Sequence, residues 1–358
     1  MRIQQKRGNA LKIKYVSCFG IVALSLLLAG CGNNKTEEST QVGMQAIAEH
    51  EYDDALQAFQ IAEEKKENPQ MIARGRGIAS VGLTDYTAAV TYFKEALSYS
   101  DVWVDELDYD INFYLAEAYK KSGDYNKSIE TYSAILDMQP KNVTAYYQRG
   151  CGYLMNDMHD KAIQDFDKAL NLDKDNYDLR IEVAGQLSEA GYDTEGKQYL
   201  SEFLKDKQEK LSDFDTGRIY FYLQDYENAK VCFEKARDDE NQNVILFLGK
   251  TYEQLGDYNY AASTYQNYLN KHQDAAVIYN QLGLCKLQSG DYEGAKVSFS
   301  TALAIENNGM EQTLEFNQIV ATEYVGDFKQ ASILMEAYCK KYPDDQMAVR
   351  ENIFLKTR

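Results

Sequence analysis

Residues 249–265 read GKTYEQLGDYNYAASTY, and residues 283–299, 34 positions on, read GLCKLQSGDYEGAKVSF. Both open on glycine, carry Gly-Asp-Tyr in the middle, place alanine three residues after that tyrosine, and end on a large aromatic four residues later. With the tyrosine as marker, its equivalents are Tyr52, Tyr86, Tyr125, His159, Asp193, Tyr226, Tyr258, Tyr292 and Phe328, separated by 34, 39, 34, 34, 33, 32, 34 and 36 residues. A period of this length is the mark of a repeat architecture.

Three residues after each marker stands a small residue: Ala55, Ala89, Ser128, Ala162, Gly196, Ala229, Ala261, Ala295 and Ala331. One helical turn further, on the same face, come Phe59, Phe93, Tyr132, Phe166, Leu200, Phe233, Tyr265, Phe299 and Met335. Nine residues before the marker a second small residue recurs at Gly43, Gly77, Ala116, Gly150, Ala184, Gly217, Gly249 and Gly283, with Ile319 the exception. The two small positions are expected to face each other. Gly123-Asp124, Gly256-Asp257, Gly290-Asp291 and Gly326-Asp327 precede their markers, a glycine to end one helix and an aspartate to cap the next.

This pattern resembles the tetratricopeptide repeat, in which small residues let helices A and B approach and a large residue fills the gap. The resemblance implies an all-α fold, a right-handed superhelical solenoid of about nine helix-turn-helix repeats over residues 36–343. Residues 344–358, with Met347, Val349, Ile353 and Leu355 beside polar neighbours, read as a capping helix. Repeat five departs from the pattern at Asp193 and Gly196. The 39-residue step leaves an insert around Asp101 to Leu107 that holds the only tryptophan, Trp103, expected to pack.

The chain has 358 residues, 44% apolar and 26% charged, ordinary globular composition; with three prolines and no long Gly/Ser stretch, nothing marks an internal linker. Residues 1–30 have the layout of a secretory signal peptide: basic Arg2, Lys6, Arg7, Lys12 and Lys14, then an uncharged run from Tyr15 to Gly30. That run is shorter than the roughly 20 residues a spanning helix needs. It ends at Leu28-Ala29-Gly30-Cys31, which resembles the lipobox of bacterial lipoproteins. The resemblance implies that Cys31 is acylated and begins the mature chain, with residues 31–35 a lipidated cysteine and short polar tether. Two or more acyl chains on one cysteine anchor stably in a bilayer. Without residues 1–30 the chain keeps 33 basic against 56 acidic residues, a net of −23 where the whole chain carries −18. Such a surface repels nucleic-acid phosphate.

Chemistry-bearing motifs are sparse. Cys151, Cys232, Cys285 and Cys339 fall in four different repeats without a C-x-x-C pair and are expected to be buried free thiols. His50, His159 and His272 are far apart in sequence, and no nucleophile elbow, phosphate loop or H-E-x-x-H occurs. No cofactor, metal or catalytic residue is indicated, and the chain reads as a non-enzyme.

The tetratricopeptide resemblance places ligands on the concave face lined by helix A. Its groove positions fall on Phe113, Glu117 and Lys121, on Tyr147 and Met155, on Phe214, Arg218 and Phe221, on Leu246 and Lys250, on Asn280 and Leu284, and on Phe316. The paired Lys and Asn clamp for a terminal carboxylate is missing at matching positions. The reading is a membrane-tethered scaffold or adaptor on the extracytoplasmic face of the cell membrane. It would bind peptide or helical segments of envelope or secreted proteins and hold the lipid bilayer through acylated Cys31. The alternative is a solute- or glycan-capturing lipoprotein using groove aromatics.

Overall fold

A computed structural model describes residues 38–100, 105–239, 241–343 and 345–357. The leader, Cys31 and Trp103 lie outside the described residues, as does Asp344 of the terminal segment. Among the described residues there are nineteen α-helices and no strand. Contacts divide the chain into two compact units, one ending at Tyr199 and one beginning at Leu200. The division falls within a helix rather than at a linker.

The N-terminal unit holds α1 (Glu38–Ala48), α2 (Tyr52–Glu64), α3 (Pro69–Gly82), α4 (Tyr86–Ser98), α5 (Glu106–Lys121), α6 (Tyr125–Met138), α7 (Val143–Met155), α8 (His159–Leu172), α9 (Tyr177–Glu189) and the start of α10 (Asp193–Lys207). The C-terminal unit holds the rest of α10, then α11 (Asp213–Tyr222), α12 (Tyr226–Lys235), α13 (Gln242–Gln254), α14 (Tyr258–Leu269), α15 (Ala276–Ser289), α16 (Tyr292–Leu303), α17 (Glu311–Val325), α18 (Phe328–Lys341) and α19 (Gln346–Leu355). Every marker is the first residue of an even-numbered helix. Within each unit most helices pack on their successors, and several odd-numbered helices also touch the next odd one, α1 with α3, α3 with α5, α7 with α9, α11 with α13, α13 with α15 and α15 with α17. The odd helices therefore form a layer of their own.

The close approach differs in one respect from the small-on-small arrangement expected. In six repeats the helix A glycine receives the helix B ring directly. A Cβ added at Gly43, Gly77, Gly150, Gly217, Gly249 or Gly283 would lie 2.7, 2.4, 2.6, 2.7, 2.2 or 2.5 Å from Phe59, Phe93, Phe166, Phe233, Tyr265 or Phe299 respectively. All six rings are fully buried, and each contributes roughly 2–3 kcal/mol by leaving water. Where Ile319 replaces the glycine, the partner position holds the pliable Met335 instead of a ring. Small faces small in repeat five, where a Cβ on Gly196 would come 2.6 Å from the Ala184 carbonyl oxygen. That contact explains why glycine replaces the usual alanine there.

The turn between the helices of each pair is built alike in all nine repeats. The residue two before each marker has positive φ: His50, Thr84, Gly123, Asp157, Gly191, Gln224, Gly256, Gly290 and Gly326. The aspartate that follows often caps the even helix. Asp124, Asp291 and Asp327 accept hydrogen bonds from the backbone N–H of Lys127, Gly294 and Gln330. Asp85 and Asp225 do the same without a preceding glycine. Asp257 departs from the expectation and makes no such bond. Within the insert, Asp105 and Asp108 form a capping box that starts α5. The terminal segment is helical as read, and α19 buries Ala348 and Leu355.

Cys151, Cys232 and Cys285 are buried free thiols, whereas Cys339 is only partly covered. Burial pushes the Cys151 and Cys285 thiols up to about 12, which removes the thiolate needed for nucleophilic reaction.

Two substitutions test this framework. Gly77→Ala forces the Phe93 ring from its seat and is expected to cost about 1–3 kcal/mol in urea unfolding. Thr84→Gly relieves a β-branched residue held at φ 61° and is expected to raise stability by about 0.5–1 kcal/mol once glycine's added chain entropy is deducted.

Candidate partner-binding face

In the N-terminal unit three neighbouring odd helices bring several of the expected residues together. Phe113 on α5 is half-buried and meets Tyr132 edge to face at 5.9 Å. One turn along, Glu117 pairs with Lys120 at 2.7 Å, and Lys120 reaches across to donate to Gln148 of α7 at 2.7 Å. Lys121 is exposed, and Met155, at the far end of α7, is 49% exposed. Between them Tyr147 tilts against Phe166 at 6.0 Å. Its hydroxyl lies against the thiol of Cys151 and the carboxyl of Glu182 on α9. Burial, followed by the neighbouring Cys151 and the charges of Glu182 and Glu189, drives the Tyr147 hydroxyl far above its ordinary range. Burial and then the neighbouring Asp178 push the Glu182 carboxyl up. On α3 and α5, Arg74 and Asp110 join at 2.6 Å, with Arg74 over the Tyr114 ring.

The helical register had located Phe113, Glu117, Lys121, Tyr147 and Met155 but missed Lys120, Cys151 and Glu182. Lys120 is adjacent in sequence to Lys121 and so differs from a marked register position by one step of about 100° around the helix. Glu182 lies on α9, in repeat five, where no groove position is assigned from the sequence.

In the C-terminal unit Phe214, Arg218 and Phe221 on α11 form one cluster with Phe247 on α13. Phe247 stands 5.9 Å from Phe214 and 5.5 Å from Phe221, and stacks at 5.6 Å on the buried Phe233. The Arg218 guanidinium lies over two rings, 5.7 Å from Phe214 and 5.8 Å from Phe247, an attraction to the electron-rich ring faces. Phe247 was not among the sequence candidates; Leu246 beside it was.

Four candidates need correction. Leu246 is 7% exposed, Asn280 4%, Leu284 1% and Phe316 1%. Leu246 belongs to the core shared by α11 to α15, and Leu284 and Phe316 to the core shared by α15 to α19. Asn280 accepts a buried hydrogen bond from Asn317 at 3.0 Å. In these later repeats the neighbouring odd helix covers the positions that stay half open at Phe113, Tyr147 and Phe214. Lys250 remains half-buried.

The histidines serve local contacts. His50 meets the Tyr52 hydroxyl at 2.8 Å, His159 meets Glu195 at 2.7 Å, and His272 stacks on Tyr268 at 4.2 Å. Among the described residues no group of three or more His, Cys, Asp or Glu side chains is placed to hold a metal ion, and no helix is long and apolar enough to cross a membrane.

Comparison with known proteins agrees with the helix-pair reading. Models of the tetratricopeptide repeat match residues 143–176, 74–143, 216–236 with 276–308, and 248–275. Tetratricopeptide repeat protein 13 of Homo sapiens is 27% identical over 169 residues, covering 45% of this chain and 20% of that protein. The BBSome complex member bbs-4 of Caenorhabditis elegans is 24% identical over 202 residues, covering 56% of this chain and 38% of that protein. This chain thus spans well under half the length of either relative. Among solved structures, a tetratricopeptide repeat protein from Parabacteroides merdae is 15% identical, covers 71% of this chain and 99% of its own, and superposes with a TM-score of 0.44. The chain belongs to the tetratricopeptide repeat family.

Proposed function

We propose that this protein is a membrane-tethered adaptor of the cell envelope that binds segments of other proteins along the odd-helix face and catalyses no reaction. The observation that carries the reading is the composition of that face. Half-buried aromatics, an exposed methionine and charges of both signs stand on successive odd helices, as at Phe113, Lys121, Tyr147 and Met155. Interfaces that recognise helical or extended segments use such apolar anchors with polar surroundings. Proteins of this repeat family bind protein partners, which supports the coarser part of the reading. The leader and the lipobox-like Leu28-Ala29-Gly30-Cys31 support tethering on the extracytoplasmic side.

Capture of a sugar or other small solute is the weaker reading. The C-terminal rings it would use are already engaged, Phe214 and Phe221 against Phe247.

In-cell crosslinking of the mature protein, followed by identification of what co-purifies from solubilised membranes, tests the adaptor reading. A recurrent envelope protein is expected. Its recovery should fall by about tenfold in a Lys121→Glu, Met155→Glu variant, the loss of roughly 1.4 kcal/mol at an interface. Absence of a recurrent protein partner, together with a thermal shift on adding oligosaccharides, would replace the adaptor with solute capture. For the tether, Cys31→Ala should release the protein from the membrane fraction or leave an unprocessed precursor; normal processing with full membrane retention would refute acylation.

A further inference from the structure

The C-terminal unit contains a buried carboxyl that the partner-binding reading does not use. Glu253, near the end of α13, is 7% exposed. Its Oε1 accepts from the Tyr265 hydroxyl of α14 at 2.6 Å and from Gln281 Nε2 of α15 at 3.1 Å, and its Oε2 accepts from the same nitrogen at 3.2 Å. One carboxyl thereby ties three helices together. Tyr265 is itself the ring seated on Gly249, so the tie joins the contact that closes its repeat.

We propose that Glu253 works as a proton-operated latch. As α13, α14 and α15 assemble, this carboxyl takes up a proton, and the three helices hold together more firmly in mild acid than at neutral pH.

The surroundings favour the neutral acid. Burial raises the affinity of Glu253 for a proton, against the opposing pull of the Tyr265 and Gln281 hydrogen bonds and of Lys250 on its own helix. From α15, Cys285 also faces it, but that thiol is pushed up to about 12 and stays neutral. Tyr265 is raised well above its ordinary range and stays neutral too. Lys286, also on α15, donates to the Gly294 carbonyl and the Ser298 hydroxyl, and charges on the other elements packed on α13 have contacts of their own. Glu234 of α12 accepts from the Tyr252 hydroxyl, Arg237 of the following 3-10 turn also acts on Tyr252, and Arg218 of α11 lies over Phe214 and Phe247. A carboxyl whose proton affinity is higher folded than unfolded contributes most at low pH. That contribution is lost as pH rises from the ordinary glutamate range through the raised folded value.

Hydrogen exchange on the full chain tests this, with amide protection over residues 242–289 compared at about pH 5 and about pH 7.5 after correction for intrinsic rates. Protection should fall at the higher pH, by roughly tenfold for each unit by which folding raises the pKa. In E253Q, which keeps the shape and cannot ionise, it should stay level. An E253Q response equal to the parent's, or no response in the parent, would overturn the latch. If E253Q does not fold, the parent labelled at the glutamate carboxyl carbon decides. One resonance titrating above the rest supports the proposal, and all titrating within the ordinary carboxylate range overturns it.

Discussion

The structure rests on an aromatic ring of one helix lying where a side chain of its partner would be. Helix B presents Phe or Tyr seven residues after the marker, helix A leaves a glycine bare beneath it, and the ring loses all contact with water. Neither half works alone. Without the ring the glycine leaves a void, and a Cβ added beneath any of these six rings would lie within 2.7 Å of it. Repeating this one contact spaces the helices of a pair, and that spacing lets the odd helices of successive pairs touch and form a face.

Much of this is visible in the chain because the contact demands extreme residues at fixed positions. A glycine nine before the marker and a ring seven after it survive reading even where the marker is His159, with Gly150 and Phe166 in place. The positive-φ position two before each marker is less legible. Only five of its nine occupants are glycine, and the backbone bends equally at His50, Thr84, Asp157 and Gln224, where surrounding hydrogen bonds dictate the geometry. The face itself is legible only in part. The register that places Phe113 and Tyr147 half in the open places Leu246 and Phe316 inside the core. How far an odd helix is covered depends on its neighbour, and a one-residue step turns a side chain by about 100°. Phe247, one residue from Leu246, escaped notice for that reason.

The faces of the two units differ in kind. Around Tyr147 the N-terminal unit gathers Glu117, Asp178, Glu182 and Glu189 beside the occupied Lys120. Around Phe247 the C-terminal unit gathers rings under the Arg218 guanidinium. A chain this acidic would steer basic segments towards it over distances set by the Debye length, while the aromatic cluster acts only on contact.

Each core draws on a few consecutive helices: α1 to α3, α3 to α5, α5 to α7 and α7 to α9 in the first unit, α11 to α15 and α15 to α19 in the second. Contact order among the described residues is therefore low, and the rings named above are covered by helices near them in sequence. As the polypeptide emerges, N-terminus first, into the compartment where it folds, each seat closes once the next helix or two have followed. Apolar surface open to aggregation at any moment is confined to the newest pair, a vectorial assembly that a closed globular core of the same length does not permit.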